Sequence, residues 1–211
     1  RGSGRLKELP PRPPNFYFSR RMILEVVKYG HPVLRQNGTA IAEITPEIGE
    51  LIDNMFETMD DYHGIGLAAQ QVGHAIRLTV VDISMIEDRP SSLEIEGKEA
   101  DPNSIMPLVL INPEVTPEGD PEASGEGCLS FPEIYGEVTR PGFVHVKATN
   151  AQGEAMAFKA GGLLARCIQH EVDHLKGILF IDRMDRETKE ELKPHLDDLA
   201  EATRTALESQ A

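Results

Sequence analysis

The sequence contains no tryptophan, only two cysteines and few aromatic residues, which make up 5% of its 211 positions. Two cysteines, Cys128 and Cys167, cannot build the disulfide framework of a small secreted domain, so we expect a reducing compartment. Long hydrophobic runs are also missing, because Gly, Pro or a charged residue interrupts every stretch before the roughly 20 residues of a membrane span. A signal-peptide h-region is absent as well. We therefore expect neither a membrane protein nor a secreted one.

Positive charge is scarce. The chain has 21 Lys and Arg residues against 35 Asp and Glu residues, which gives a formal net charge of −14 at pH 7. Because this charge repels the phosphate backbone of nucleic acids, we expect no tight nucleic-acid binding through many phosphate contacts, and a local basic patch is the remaining alternative. The balance of 40% hydrophobic and 27% charged residues is typical of a globular protein and excludes collagen-like, coiled-coil and disordered chains.

The length favours one domain with flanking segments. Residues 1–21 hold four prolines with basic residues between them and predict an extended arm, whose residues 1–4 are typical of an expression-tag remnant. Such an arm either lies on the domain or offers a docking motif to a proline-binding partner. Residues 22–184 are predicted to form the domain itself. A charged C-terminal helix follows over 185–211, and we expect Pro194 to kink or split it.

Apolar periodicity predicts two helices inside the domain. The first follows Thr45-Pro46-Glu47, which combines an N-cap residue, a proline at the first helical position and an acid in the first turn. The second runs from Leu163 to Lys176, with Gly177 as its stop signal.

Strands are predicted for four runs of residues, at 77–84, 108–115, 143–149 and 154–159. The last two form a hairpin through the turn at 150–153. The polar segment 85–107 predicts a long loop or a loose hairpin. Because strands and helices occupy separate blocks, we predict an α+β fold with antiparallel pairing.

The segment His170-Glu171-Val172-Asp173-His174 is the strongest chemical signal. Residues four positions apart lie on one helix face, so both imidazoles can bind one metal ion. Glu171 can then reach a metal-bound water rather than the metal itself. The alternative is a surface helix that contains these residues by chance, and the apolar residues around the motif favour a buried functional site.

A catalytic metal site needs a third protein ligand. A metzincin-type protease is disfavoured, because Phe180 stands where the third histidine of that motif would be. Cys167 is seven residues from His174, about 10 Å along a helix axis, so we expect it to be a small core residue. Cys128 is the better candidate, since the glycines at 125 and 127 allow the backbone to approach an ion or a substrate closely.

A third segment, Gly64-Ile65-Gly66-Leu67-Ala68-Ala69-Gln70-Gln71, is rich in small residues. Such residues can bring backbone N–H groups and a side-chain amide against a ligand. The segment lacks the G-K-[ST] ending of a phosphate-binding loop. A merely structural turn is the other alternative.

Three segments of the chain resemble, in their order, the three motifs of peptide deformylases: G-I-G-L-A-A-Q-Q, E-G-C-L-S and Q-H-E-V-D-H-L-K-G. The resemblance covers roughly residues 22–184. The run C-L-S-F-P-E-I-Y also resembles the subclass that includes plastid enzymes, and Tyr135 stands where many members carry an arginine. The resemblance implies an α+β catalytic domain whose antiparallel sheets pack around the helix that carries the HExxH motif.

The resemblance also implies a metal-dependent hydrolase that removes the N-formyl group from the formylmethionine of new polypeptides and releases formate. One divalent ion would be held by Cys128, His170 and His174. Metal-bound hydroxide would attack the formyl carbon, with Glu171 as general base and then acid. Fe(II) is implied in the cell, with Zn, Ni or Co in purified protein, whereas affinity alone favours zinc.

The family pattern assigns the oxyanion donors to the side-chain amide of Gln71 and the backbone N–H of Leu129. Substrate contacts fall on a larger set of positions: Ile65, Gly66, Glu126, Gly127, Tyr135, Arg166 and Cys167.

The implied partners are N-formylmethionyl nascent peptides, which places the protein near ribosomes. The compartment would be the cytoplasm of a bacterium, or a plastid or mitochondrion in a eukaryote. The acidic C-terminal helix argues against docking to ribosomal RNA through that helix. The alternatives are a thermolysin-type endopeptidase and a structural metal-binding module. The segment Gly64–Gln71 argues against both, because neither needs an amide donor opposite the metal.

Overall fold

The computed structural model describes residues 22–210, so the predicted N-terminal arm lies outside the described residues. Within this range there are three α-helices, α1 (Pro46–Asp61), α2 (Gly162–His174) and α3 (Arg186–Gln210). The range also contains seven strands: β1 (Gly66–Ala68), β2 (Leu78–Val81), β3 (Ser91–Ile95), β4 (Lys98–Ala100), β5 (Leu108–Cys128), β6 (Phe131–Thr149) and β7 (Ala155–Gly161). Short 3-10 turns occur at Pro32–Arg35, Ala69–Val72, Pro102–Ile105 and Phe180–Asp182.

The strands form a sheet in the order β1-β2-β5-β6-β7-β3-β4, in which every neighbouring pair is antiparallel. The predicted α+β fold with antiparallel pairing is confirmed. Within residues 22–210 the strands join into one sheet rather than several. Register shifts along the β5–β6 pair, between Ile111 and Glu114 and between Glu118 and Pro121, interrupt its ladder, and such irregularities bend a sheet.

Two of the strands are much longer than the sequence predicts. The predicted strand at 108–115 continues as β5 to Cys128, and the one at 143–149 begins as β6 at Phe131. Among the described strands, only β6 pairs with β5 beyond Ile111, so one edge of β5 is free of ladder bonds and tolerates prolines. The predicted hairpin β6–β7 is confirmed, and β3–β4 forms the hairpin alternative for 85–107.

The helices follow the sequence closely. α1 begins at Pro46, although the side chain of Thr45 makes no capping hydrogen bond. α2 ends two residues before the predicted Lys176, and Gly177 follows with a left-handed φ of 68°. The expectation that Pro194 splits the C-terminal helix is wrong, because α3 continues through it. Pro194 is exposed, so water can bind the carbonyl group that loses its helical partner.

The interior of the molecule is organised around α2. Every residue of this helix from Leu163 to His174 is buried. Its apolar side chains pack against the sheet, for example Leu164 and Ile168 against Leu110 and Val144. The HExxH motif therefore lies inside the protein and not on a surface helix.

The N-terminal part of the described chain packs against α3. Gly30 has a left-handed φ of 104°, and a Cβ atom there would lie 2.9 Å from the Cα atom of Ala200. Only glycine fits both the backbone conformation and this close approach. Within residues 22–210, none of the helices combines the length and apolar character needed to cross a membrane.

Candidate metal centre and active site

Three side chains converge where the end of β5 meets α2. They are Cys128, at the end of β5, and His170 and His174, one helical turn apart on α2. One ligand atom of each lies within 4.8 Å of the others. Sγ of Cys128 lies 3.3 Å from Nε2 of His174. A sulfur and two imidazole nitrogens suit Zn(II), Fe(II), Co(II) and Ni(II), so this cluster can hold a divalent metal ion.

Local structure explains how these atoms meet. Helical periodicity places the two histidine rings side by side, with centroids 5.1 Å apart. Cys128 pairs with Phe131 across the two-residue turn Leu129-Ser130 that joins β5 to β6. The turn therefore presents the thiol at the end of the hairpin that faces α2.

Cys167 lies outside the cluster. Its buried thiol donates to the backbone carbonyl of Ile65 at 3.5 Å, and burial raises the pKa of the thiol well above its ordinary value. The group therefore stays protonated, which suits a packing residue and not a metal ligand.

The carboxylate of Glu126 orients the ring of His170. Nδ1 of His170 donates to it at 3.0 Å, Arg140 donates to both of its oxygens at 2.7 and 2.9 Å, and Arg166 donates at 2.8 Å. Burial alone would raise the pKa of Glu126, but the hydrogen bonds from His170 and Arg140 outweigh burial and hold that pKa well below its usual range. An ionised partner at Nδ1 fixes the tautomer and leaves Nε2 for a metal.

A second buried carboxylate, that of Asp173, extends this network. Arg140 donates to it at 2.7 Å, and Arg183 donates to both of its oxygens at 3.1 and 2.7 Å. Arg140, on β6, thus joins the carboxylate of Glu126 on β5 to that of Asp173 on α2. Burial lowers the pKa of His174 well below its ordinary value, which favours the neutral imidazole that binds metals.

Glu171 lies beside the cluster without belonging to it. Its side chain is buried, and Oε2 has no hydrogen-bond partner among residues 22–210. Burial raises the pKa of Glu171 to about 7. A carboxyl group with this pKa can both accept and release a proton near neutral pH.

Gln71 approaches the cluster from the opposite side. The backbone N–H of Ala68 donates to its Oε1 at 2.8 Å, which fixes the orientation of the amide. Nε2 then points towards Sγ of Cys128, at 3.4 Å, and Oγ of Ser130, at 3.5 Å. The amide N–H groups of Gln71 thus face the space beside Cys128.

A cavity of about 570 Å³ opens beside the cluster. Every predicted site residue except His174 lines it. Tyr135 stands at its mouth, 70% exposed, with its ring against Gly127. Glu126 and Arg166 line the wall, but their charged groups bind each other and so are not free for a substrate.

The sequence argument missed Lys28, Arg140 and Arg183, and gave no role to Asp173. A signal existed for Arg140, because it alternates with Val138 and Val144 on the inward face of β6. A charged residue at an inward strand position needs a buried partner. No comparable local pattern marks Lys28 or Arg183.

Peptide deformylases resemble this chain in both sequence and structure. A sequence profile described as polypeptide deformylase matches residues 23–190. A peptide deformylase from Opitutus terrae is 43% identical over 187 residues, 88% of this chain and 97% of that protein. The crystal structure of a plant peptide deformylase is 35% identical with a TM-score of 0.72, covering 87% of this chain and 92% of that one. A peptide deformylase from Synechococcus elongatus, solved in complex with actinonin, is 37% identical with a TM-score of 0.69, covering 85% and 86%.

Proposed function

The chain belongs to the polypeptide deformylase family, metal-dependent hydrolases that remove the N-formyl group from the formylmethionine of nascent polypeptides, and we propose how its residues divide this reaction. The observation that carries the assignment is the convergence of Cys128, His170 and His174 beside the buried carboxylate of Glu171, whose Oε2 has no hydrogen-bond partner in the described part of the chain. Three ligands on one side of an open cavity are typical of a catalytic metal site.

Cys128, His170 and His174 would hold the metal ion. A divalent ion bound there supplies a Lewis acid that acidifies water and polarises the formyl oxygen. We assign Fe(II) as the native ion. The family resemblance supports iron, while the ligand set also suits zinc, nickel and cobalt, and affinity order alone favours zinc over iron.

Glu171 moves the proton. Amide hydrolysis forms a bond from a water oxygen to the formyl carbon and breaks the bond from that carbon to the amine nitrogen. Glu171 accepts a proton from the attacking water and delivers it to the departing nitrogen, so the carboxylate is regenerated after each turnover. Its burial and its pKa of about 7 support this role.

Gln71 and Leu129 stabilise the oxyanion that forms at the formyl carbon. The amide of Gln71 is held at Oε1 by Ala68, so its N–H donors are fixed before the substrate arrives. The backbone N–H of Leu129 belongs to the turn that follows Cys128. Losing one donor of this kind typically slows a reaction ~100-fold or more.

The cavity holds the methionine side chain. Ile65 and Cys167 supply apolar surface, and Gly66 and Gly127 line the cavity beside the Glu171 carboxylate and the Tyr135 ring. Glu126 and Arg166 shape the wall while their charges remain paired. Tyr135 at the mouth is placed to meet residues that follow the methionine.

The substrate sets the surroundings in which the protein works. Formylated chains emerge from ribosomes, so we place the protein near ribosomes in a bacterial cytoplasm, or in a plastid or mitochondrion if the source is a eukaryote. Its net charge of −14 does not favour direct binding to RNA.

Formate release tests the proposal. Protein loaded anaerobically with Fe(II) is expected to release one formate per formyl-Met-Ala-Ser peptide, and the metal-free protein none. Acetyl-Met-Ala-Ser is the matched substrate and is expected to react far more slowly, because an acetyl methyl must fit where the formyl hydrogen lies. Cleavage of an internal peptide bond would identify an endopeptidase instead, and metal binding without either activity would identify a structural metal site.

A further inference from the structure

The segment before the first 3-10 turn runs beside both loops that carry the oxyanion donors. The backbone N–H of Val27 donates to the carbonyl of Gln71 at 2.9 Å. Two residues later, the backbone N–H of Tyr29 donates to the carbonyl of Ser130, also at 2.9 Å. These bonds hold the residue between them, Lys28, at a fixed place on the wall of the cavity.

The side chain of Lys28 completes this contact. Its Nζ donates to the carbonyl of Leu129 at 3.0 Å. Consecutive residues, Lys28 and Tyr29, therefore bind both carbonyls of the two-residue turn Leu129-Ser130. This turn carries the proposed oxyanion donor and directly follows Cys128.

The surroundings of Lys28 make the bond a strong one. Its ammonium group lies 5.3 Å from the centroid of the Tyr62 ring, whose π face attracts a cation. Burial lowers the pKa of Lys28, while the nearby Cys128 and Glu25 favour the charged form. Hydrogen bonds from a charged donor are roughly twice as strong as neutral ones.

We propose that Lys28 is a positioning residue that locks the Leu129-Ser130 turn and so fixes the backbone N–H of Leu129 for the oxyanion. The inference rests on the proposed role of Leu129. Without the ammonium group the carbonyl of Leu129 loses this hydrogen bond, so the Leu129-Ser130 peptide unit, which adjoins the one that carries the N–H of Leu129, is held less firmly. A displacement of about 1 Å at a reacting centre can cost ~100-fold in rate.

The test uses the full-length, metal-loaded protein and three variants. Lys28→Met keeps the length of the side chain without its charge, Lys28→Arg keeps a cationic donor, and Lys98→Met is the matched control. Lys98 is exposed on β4 and does not line the cavity. We measure kcat and KM for a formyl-Met peptide, bound metal, and hydrogen exchange of the amides at 128–131.

Lys28→Met is expected to lower kcat about 10- to 100-fold with KM within about threefold, metal content unchanged and faster exchange in the turn. Lys28→Arg should restore most of the kcat and most of the slow exchange in the turn. Lys98→Met should match the wild type in both measurements. The inference would be overturned if Lys28→Met left kcat unchanged, or lowered it without faster exchange in the turn. It would also be overturned if Lys28→Met lost metal while kcat per bound ion stayed normal, or if Lys28→Arg did not restore activity. Failure of the proposed function itself would appear as a wild-type protein that releases no formate.

Discussion

The backbone of Gly66 lies against the carboxylate of Glu171. A Cβ atom at position 66 would stand 2.5 Å from Oε1 of Glu171 and 2.8 Å from Sγ of Cys167. Both neighbours are fixed on the fully buried helix α2, so neither can move away easily. Glycine is required here for space beside a functional side chain and not for an unusual backbone conformation.

Gly66→Ala is therefore expected to displace the Glu171 carboxylate and lower kcat about 100-fold. Metal content should stay near one per chain, because the ligands lie elsewhere. Gly125→Ala is the control for replacing a strand glycine, since its new methyl would meet no atom within 4 Å. We expect the two variants to have equal metal content and equal melting temperature. Only Gly66→Ala should lose activity. A fully active Gly66→Ala protein would contradict it.

Glu171→Gln tests the proton transfer. The substitution preserves size but removes the group that accepts and returns the proton, so formate release should fall by about 100- to 10,000-fold. Bound metal, measured by elemental analysis, should remain at one ion per chain. If metal and activity disappear together, Glu171 serves the metal and the assignment is wrong.

The two cysteines should behave differently. Cys128→Ala is expected to lose metal and activity together, because it removes one of three ligands. Cys167→Ala should keep the metal and lower the free energy of unfolding by only about 1 kcal/mol. Elemental analysis and urea denaturation of both variants distinguish these outcomes. The reverse pattern would show that Cys167 is the ligand.

Arg140→Leu leaves the buried carboxylates of Glu126 and Asp173 without their shared partner. We expect the free energy of unfolding to fall by about 3–5 kcal/mol and metal affinity by about 10- to 100-fold. Urea denaturation and competition with a chelator measure the two effects. Arg183→Leu is the matched control. Arg183 also binds Asp173, but its side chain is 45% exposed, so its loss should lower the free energy of unfolding by less than about 1 kcal/mol. Equal effects of the two substitutions would refute the bridging role of Arg140.

Oxidation should inactivate the iron-loaded protein faster than the nickel-loaded protein. Fe(II) reacts with peroxide, whereas nickel does so far less readily, and oxidation of a Cys128 thiolate removes a ligand. At one peroxide dose we expect the iron form to lose activity, with added mass at Cys128 or release of Fe(III). Catalase should protect it. Equal decay of both forms would place the damage at other residues, such as the methionines.

The parts of the site that follow helical geometry were predictable. His170, Glu171 and His174 are neighbours on any α-helix, so their relationship depends on local structure alone. Its glycine-rich surroundings made Cys128 the better candidate for a third ligand, and the resemblance completed that ligand set and added Gln71, which local spacing could not connect to the helix. The structure places all five residues either in the lining of one cavity or in the group of candidate metal-binding side chains beside it.

Contacts set by tertiary packing were not predictable. Arg140 joins carboxylates that lie 14 residues before it and 33 residues after it, and Lys28 reaches a carbonyl 101 residues away. The alternation of β6 indicates that Arg140 needs a buried partner, but no local pattern identifies which residues these partners are. The length of β5 was missed for a different reason: Pro117 and Pro121, which follow the predicted strand at 108–115, look like strand breakers until the free edge of β5 is known.

The contact between Gly30 and Ala200 has a consequence for how this protein matures. The segment that binds the carbonyls of Gln71 and Ser130 is made early in translation, but α3, against which Gly30 packs, is made about 170 residues later. At typical rates of about 5–20 residues per second, the early segment waits for roughly ten to thirty seconds before its support exists. An enzyme that acts on nascent chains thus gains the α3 support of the segment beside its active site only after residue 200 has been synthesised.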